Sequence, residues 1–583
     1  MEAEVDVDVL VVGAGPAGAS TAAFLGRYGV RAMAISRHSR SAVTPRAHIT
    51  NQRTMEVLRD AGLEPDCRAV ASPQTHMANT FFLRSLAGDE LARYWSWGNS
   101  PERMGDTLTA SPCTYLDLPQ NKLEPILLTE AARLGATIRF STELVSFEQD
   151  DDGVTATVRD LVSGNEYAVR SKYLIGADGA SSRVVKELDL PLQGKGALRP
   201  AFSIYFQADL SEYIGHRKGS IYWVIQPGIA DWSGPITFRM VRPWDKWVAS
   251  IYIPPSYDGP EPTEEQLIWR VREAIGDPKA ADLSVELLSI LNWSVNDLYA
   301  ERLSAGRVHC MGDAVHRHPP GSGLGSNTCI QDAFNLAWKL ALVLGGQANP
   351  SLLDTYNDER QPVAAQIVAR ANLSMVESGA LTNFLGSGLF EPRTADEVDA
   401  SLDTPEGRAE LRDHLANARY NGQGQGAELT RRYESAAIVP DGTAEPEADR
   451  DTDLYYVPST RPGATLPHAW LVRRRPSPLV STQDVAGKGK FHLFSSHGGE
   501  AWKDAASAVS DATGVEVGVT FIGNALDYED PYLDWQKLRE IEDDGCILVR
   551  PDLIVAWRCP SLPADPQEAL SQAMASVLGW AAA

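Results

Sequence analysis

The apolar positions of this chain change period several times, and the changes divide it. Residues 6–12, Asp-Val-Asp-Val-Leu-Val-Val, form a short apolar strand that runs into glycine. A helical stretch from about Ala17 to Tyr28 follows, and Val30–Ile35 reads as the next strand. That order predicts a βαβ unit opening a parallel sheet. Residues 136–170 alternate instead, as in Gly153-Val-Thr-Ala-Thr-Val-Arg-Asp and Tyr167-Ala-Val-Arg, which predicts antiparallel strands. Ile204-Tyr-Phe, Ile221-Tyr-Trp-Val-Ile and Trp247-Val-Ala-Ser-Ile-Tyr-Ile predict a second β-rich layer over 200–255. Helix returns at Cys329–Leu344, where Ile330, Phe334, Ala337 and Ala341 share one buried face.

From about 391 to 460 Asp, Glu, Gly, Gln and Ala dominate, which predicts a partly helical acidic connector over the surface. Beyond it, Lys490-Phe-His-Leu-Phe, Glu516-Val-Gly-Val-Thr-Phe-Ile, Cys546-Ile-Leu-Val and Leu553-Ile-Val-Ala-Trp alternate with helical stretches. A separate C-terminal α/β domain is expected there.

Composition narrows the function. The chain has 583 residues, 43% of them hydrophobic, and a formal net charge of −24. An acid excess of this size argues against nucleic acid and against a polybasic membrane anchor, since both ligands are polyanions. Of the −24, −9 falls in 391–460, whereas residues 1–100 sum to 0. The charge is therefore mostly a solvated connector and outer surface, and it names no ligand. The acidic N-terminus lacks the basic start of a secretory signal, and no run of 18 apolar residues suggests a membrane span. Six scattered cysteines without a C-x-x-C pair give no zinc site and no disulfide framework. A cytoplasmic protein is expected, and no metal, because His316 and His318 have no further ligand cluster.

Three glycine-centred motifs carry the chemistry. The first, Gly13-Ala-Gly-Pro-Ala-Gly18, lies between strand and helix. Gly13 permits the turn, Gly15 lets backbone approach a pyrophosphate, and Gly18 lets helix and strand pack, with Ala17 in the first helical turn. The acidic residue expected about 20 positions later, to bond an adenosine ribose, is missing. Ser36 stands there as an alternative acceptor; Arg37 either contacts adenine or phosphate or is a solvated strand end. The second motif is Gly176-Ala-Asp178-Gly179. The third is Gly312-Asp313-Ala314, followed by the glycine-rich loop Pro320-Gly-Ser-Gly-Leu-Gly325-Ser-Asn327 that runs into the helix at Cys329.

With these motifs in this order, the sequence resembles the single-component FAD-dependent aromatic hydroxylases, the class A flavoprotein monooxygenases, in their phenol-hydroxylase branch. Thr44-Pro-Arg-Ala-His-Ile-Thr-Asn-Gln-Arg-Thr-Met-Glu56, Asp117-Leu-Pro-Gln-Asn121, Met240-Val-Arg-Pro-Trp244 and Arg461-Pro-Gly-Ala-Thr-Leu-Pro-His-Ala-Trp-Leu471 carry the likeness over nearly the whole chain. It implies an α/β architecture: a Rossmann-like FAD-binding domain (1–185 and 300–390, with 80–120 contributing to the pocket). An inserted mixed β-sheet substrate domain (186–299), the connector (391–460) and a C-terminal thioredoxin-like domain (461–583) complete it. The last lacks C-x-x-C and so cannot do dithiol chemistry; dimer contacts and covering the pocket are expected of it.

The resemblance also implies the activity: hydroxylation of a substituted phenol, ortho to its hydroxyl, with NADPH or NADH and O2 through a flavin C4a-hydroperoxide. A larger polyketide-type aromatic is the alternative substrate. The implied partners are a small aromatic substrate and a second copy of the chain, as homodimer or higher homo-oligomer. Trp95-Ser-Trp97 is followed by Gly98-Asn99 and not by Ile-Pro, which speaks against a halogenase.

Carried onto matching positions, Gly13, Gly15 and Gly18 hold the FAD pyrophosphate, and Arg46 lies on the flavin side of the early loop. Gln120 reaches the flavin, and Asp313 bonds the ribityl chain or phosphate. Pro320, Gly323, Leu324, Gly325 and Asn327 line the isoalloxazine. Asp178 belongs to the motif shared by FAD and the nicotinamide nucleotide; the arginine usual seven residues later is Val185 here. A phenol with a pKa near 10 needs a base. His48 is the candidate, with a hydrogen-bonded core histidine as the plain alternative. Arg242 is the second catalytic candidate, or a surface ion pair. Tyr222 and Trp223 are candidate substrate contacts with Pro320; as strand neighbours they face opposite sides, so at most one lines the pocket.

Overall fold

The computed structural model describes residues 5–254, 257–387, 393–445, 447–473 and 477–580, without the side chains of 197 and 199. Its first sheet has eight strands. At its centre Val5–Val12 pairs in parallel with Ala32–Ile35 on one side and with Glu166–Gly176 on the other, and the latter pairs in parallel with Val308–Cys310. Val12 lies opposite Gly176, and Gly176 opposite Cys310. The three glycine motifs therefore leave the sheet at one carboxyl edge, the place where open α/β sheets bind ligands. The alternating segment forms Thr142–Gln149 and Val154–Asp160, antiparallel to each other, with Val154–Asp160 also antiparallel to Glu166–Gly176.

The helix Pro16–Arg27 is almost wholly buried, and with Gly325–Leu344 it closes the core of this sheet. Gly325–Leu344 begins four residues before the predicted Cys329, because the loop's last glycine already takes helical backbone angles.

The second sheet also has eight strands. Besides Leu192–Gln207, Ile221–Val224, Ile236–Arg242, Lys246–Tyr252 and Glu286–Ala300 it recruits Asn79–Leu83, Glu90–Trp95 and the short His316–Arg317. One face, with Phe81, Tyr222, Phe238 and Trp247, packs beneath the helix Glu264–Ile275. That helix opens on a Thr263–Gln266 capping box and stops at Gly276, at φ 73°. The other face carries Arg239 near Asp117 and packs Phe82 and Trp223 against Leu381, Phe384 and Ala418.

The segment 391–460 is partly helical, as expected, and departs from a surface connector only where its later part is buried. Capped by Thr394 and Thr404, it forms the helices Ala395–Leu402 and Pro405–Ala418. Two short helices follow, and Gln425–Leu429 is buried throughout. Acidic composition marked the outer faces of these helices and hid the inner ones. In the C-terminal region a four-stranded sheet runs Val517–Phe521, Phe491–Ser495, Cys546–Val549, Val555–Cys559, with only the first pair parallel. The helices Ala501–Thr513 and Pro566–Val577 pack together with it, a thioredoxin-like arrangement. It docks on the first domain through Trp338, whose ring meets Phe491 edge-on at 5.7 Å. Among the described residues no helix is long and apolar enough to cross a membrane.

Candidate active site

At the sheet's carboxyl edge the glycines divide by what surrounds them. A Cβ on Gly13 (φ 114°) would fall 2.0 Å from the Ala177 carbonyl oxygen, and one on Gly18 1.9 Å from that of Gly13. These two are fixed by backbone packing. A Cβ on Gly15 would meet nothing nearer than Glu124 Oε1, at 3.9 Å. Gly15 faces open space, and the amides of Ala17 and Gly18 stand in the first helical turn, ahead of the Ala19 N–H bond to the Gly15 carbonyl. Helix N-termini of this kind attract anions. Gly312 backs the turn, where a Cβ would lie 3.0 Å from that of Ala17. The next residue, Asp313, is exposed. These residues fit the dinucleotide that the motifs imply.

The remaining predicted cofactor residues take varied places. The Ser36 hydroxyl accepts the His38 N–H at 3.3 Å, and Arg37 is exposed. The Asp178 carboxylate accepts the Ser182 hydroxyl and the N–H groups of Arg183 and Val184, so it caps the helix Arg183–Glu187. Arg46 is exposed, and its carbonyl accepts the Gln120 N–H at 2.9 Å. The Gln120 side chain donates to Glu124, which also accepts the Ala42 N–H at 2.6 Å. Burial pushes the Glu124 carboxyl up. In the glycine-rich loop Pro320 is exposed, Leu324 is buried, and Gly325 starts the helix. Gly323, at φ 60°, lies against Ile49 and Trp97. Asn327 donates to the Ile49 carbonyl at 2.8 Å and accepts the Asn51 N–H at 3.0 Å. It thus ties the glycine-rich loop to the early loop that carries His48.

Ala47, at φ 45°, turns that loop so that Arg46 faces out and His48 faces in. His48 is buried, and its Nδ1 lies 3.2 Å from Asp117 Oδ1. The pairing of Ile49 with Asp117 across two short strands fixes that contact. Asp117 Oδ2 lies 3.9 Å from Nη2 of Arg239, whose side chain is 18% exposed. Two sets of polar atoms remain: His48 Nε2, and Arg239 Nε and Nη2, are buried with no hydrogen-bond partner among the described residues. Burial, and then the Arg239 charge, hold the His48 imidazole below its ordinary value; the Asp117 carboxylate opposes them. A neutral His48 with Nδ1–H directed at Asp117 presents Nε2 as an acceptor.

Two predicted site residues lie elsewhere. Arg242 is exposed and bonded to Asp245 through Nε at 2.7 Å and through Nη2, the surface ion pair kept open above. It is the last residue of its strand, past a register shift that follows Met240, and lies where the strand leaves the sheet. Tyr222 is a core aromatic, stacked on Phe81 at 5.6 Å with its hydroxyl donating to the Arg217 carbonyl. Trp223 is on the opposite face. It pairs with Thr237, as Ile221 does with Arg239, and is stacked between Phe82 and Tyr252. Of the two neighbours Trp223 is therefore on the side of the site. Arg239 itself was missed, although Phe238 and Met240 as core residues already place 239 on the opposite face. His316 Nε2 lies 2.9 Å from Asp332 Oδ2, a structural bond inside the first domain.

Residues 6–371 match the family model "FAD binding domain", and residues 459–581 match "Aromatic-ring hydroxylase, C-terminal". The chain is 49% identical to the 2,4-dichlorophenol 6-monooxygenase of Cupriavidus pinatubonensis, over 99% of this chain and 97% of that one. It is 42% identical to the phenol 2-monooxygenase of a Pseudomonas species, over 97% of this chain and 92% of that one. Among solved structures it matches the flavin-dependent monooxygenase PieE, in complex with FAD and substrate, with a TM-score of 0.94. Identity there is 43%, covering 99% of this chain and all of that one.

Proposed function

The chain belongs to the FAD-dependent aromatic-ring hydroxylases, and we propose that it hydroxylates a substituted phenol ortho to the existing hydroxyl. The observation that carries this is the unpaired His48 Nε2 beside the unpaired N–H groups of Arg239. A phenol whose hydroxyl sits at Nε2 completes both. His48, kept neutral, accepts the phenolic proton, and Asp117 holds the ring in the required tautomer. Arg239 then faces the phenolate oxygen, lowering the cost of an anion in a buried place. Electron-withdrawing ring substituents, as on the substrate named for the 2,4-dichlorophenol relative, lower the phenol's own pKa and ease the same transfer. FAD, when bound, takes electrons from the nicotinamide nucleotide and activates O2.

The 2,4-dichlorophenol and phenol monooxygenases, at 49% and 42% identity, are named for single-ring phenols, which supports this reading over a polyketide-type substrate. The same proposal includes NADPH or NADH as reductant and a cytoplasmic homodimer or higher homo-oligomer. The test uses holoenzyme with NADH and NADPH separately and a panel of substituted phenols, with products identified by mass. Phenol-stimulated nucleotide oxidation with gain of one oxygen atom is expected. Oxidation without a hydroxylated product, or a requirement for halide, overturns the reading.

A further inference from the structure

Outside this site one cavity stands apart in composition. A half-open groove of about 540 Å³ lies between the edge strand Glu90–Trp95 and the helix Pro405–Ala418. It is lined by five arginines (Arg93, Arg103, Arg412, Arg419 and Arg450) against one carboxylate, Glu102, in a chain of net charge −24. Arg93 and Arg450 are answered by Glu90 and Asp106 at 3.3 and 2.8 Å. Arg103, Arg412 and Arg419 have no carboxylate within ion-pair distance among the described residues. Arg103 is only 9% exposed, and its Nε, like that of Arg419, is buried without a hydrogen-bond partner. Burial pushes the Arg103 guanidinium down, against the opposing pull of Tyr455, Tyr115 and Asp106.

The same groove carries aromatic surface. Trp95 is 41% exposed, and the Tyr455 ring lies between the guanidinium groups of Arg103 and Arg450, at 4.3 and 3.4 Å. The Arg103 Nη groups are held by the Gln423 and Leu454 carbonyls, but Arg412 and Arg419, without a carboxylate partner beside an open indole, suit a ligand with phosphate and a flat heterocycle. The volume is that of a cofactor-sized pocket and several times a single-ring phenol. Its inner wall backs onto the flavin-side loop. Trp97, two residues past Trp95, donates its backbone N–H to the Gly422 carbonyl and its side chain lies against Gly323, while the Asn421 side chain accepts the Ser322 N–H.

We propose that this groove binds the adenosine-phosphate end of the reduced nicotinamide dinucleotide, leaving the nicotinamide to reach the flavin side of the 320–327 loop. This rests on the nucleotide-dependent reading above.

The test is calorimetric titration of holoenzyme with adenosine 2′,5′-bisphosphate, AMP, inorganic phosphate and a chlorophenol, together with the KM for NADPH and NADH. Arg412→Glu and Trp95→Ala are the variants; Arg412 and Trp95 are both exposed, so folding is not at stake. Each is expected to weaken adenosine-phosphate binding and raise the nucleotide KM about tenfold. Flavin content and the phenol KM are expected to stay at wild-type values. Preference for the bisphosphate over AMP would assign the groove to NADPH, and the reverse to NADH; either supports the site. Unchanged adenosine-phosphate binding in both variants overturns it. So does a rise in the phenol KM alone, which makes the groove a substrate entrance, and so does inorganic phosphate binding as tightly as the nucleotides. If wild-type protein oxidises neither dinucleotide with any phenol, the functional reading fails instead, and the titrations still decide the groove.

Discussion

Two buried polar clusters in this molecule are built on opposite plans. Where the C-terminal domain meets the first, Arg550 grips Glu359 with two bonds of 2.6 and 2.8 Å and turns its remaining N–H groups to Asp552. Lys339 donates to Glu359 at 2.8 Å and to Asn335 at 3.0 Å, and Ser435 fills the last acceptor position at 2.7 Å. None of these polar atoms lacks a partner. The cluster of His48, Asp117 and Arg239 is buried at its first two members and 18% exposed at Arg239, and it leaves three nitrogen atoms unbonded. An unpaired buried polar group costs about 1–3 kcal/mol, so a fold retains several together only where something else bonds them. Satisfied charges hold the joint between domains, whereas the unsatisfied nitrogens of His48 and Arg239 are the ones the proposed phenol would complete.

The sharpest way to break that contrast is to remove one member of the satisfied cluster. Glu359→Ala strands two buried cations and should cost about 3–5 kcal/mol of stability by urea unfolding. Burial would raise the Glu359 carboxyl, but Arg550 and Lys339 outweigh it and hold it far below the usual range. A depressed carboxyl contributes stability above its unfolded value. The gap between wild type and variant should therefore be constant above about pH 4.3 and close as pH falls below it. A gap that closes on raising the pH instead would show that Glu359 is not the stabilising anion.

Next in size, His48→Ala should slow hydroxylation in single turnover by about 10²-fold while flavin stays bound and unfolding changes less than for Glu359→Ala. Unchanged hydroxylation would remove the base assignment. Arg239→Met should act more gently, through both the phenolate and His48. The Arg239 charge lowers the imidazole, so its loss should move the acid limb of the kcat/KM profile to higher pH. An unmoved limb would separate His48 from the titration. The smallest effect is expected from Arg242→Gln, which breaks only an exposed pair with Asp245 and should leave the unfolding midpoint where it was.

Much of this was legible beforehand because it rests on short-range rules. Gly13 and Gly18 announce a βα turn by spacing, and the structure shows backbone oxygens filling the space their side chains would need. The alternation of Ile236–Arg242 places Phe238 and Met240 in one core and could have placed Arg239 opposite them. Arg242 misled although the same alternation already sets it on the face away from Arg239, and it ends its strand exposed. Tyr222 and Trp223 were correctly set on opposite faces, but which face held the site depends on where the helix Glu264–Ile275 packs. Residues 391–460 read as surface because Asp, Glu, Gly and Gln dominate their composition, yet Gln425–Leu429 is buried.

The sequence by itself determined the cofactor edge: three strands ending in glycine impose a common carboxyl edge once they pair in parallel, and local sterics allow little else there. It also determined the family, since the likeness runs through several long segments. Tertiary structure alone decided which arginine meets Asp117, that Asp117 orients His48, and that Arg103, Arg412 and Arg419 gather around one groove. Those are meetings between residues tens to hundreds of positions apart. They are set by the packing of two sheets and the helices of 393–429, and no periodicity along the chain records them.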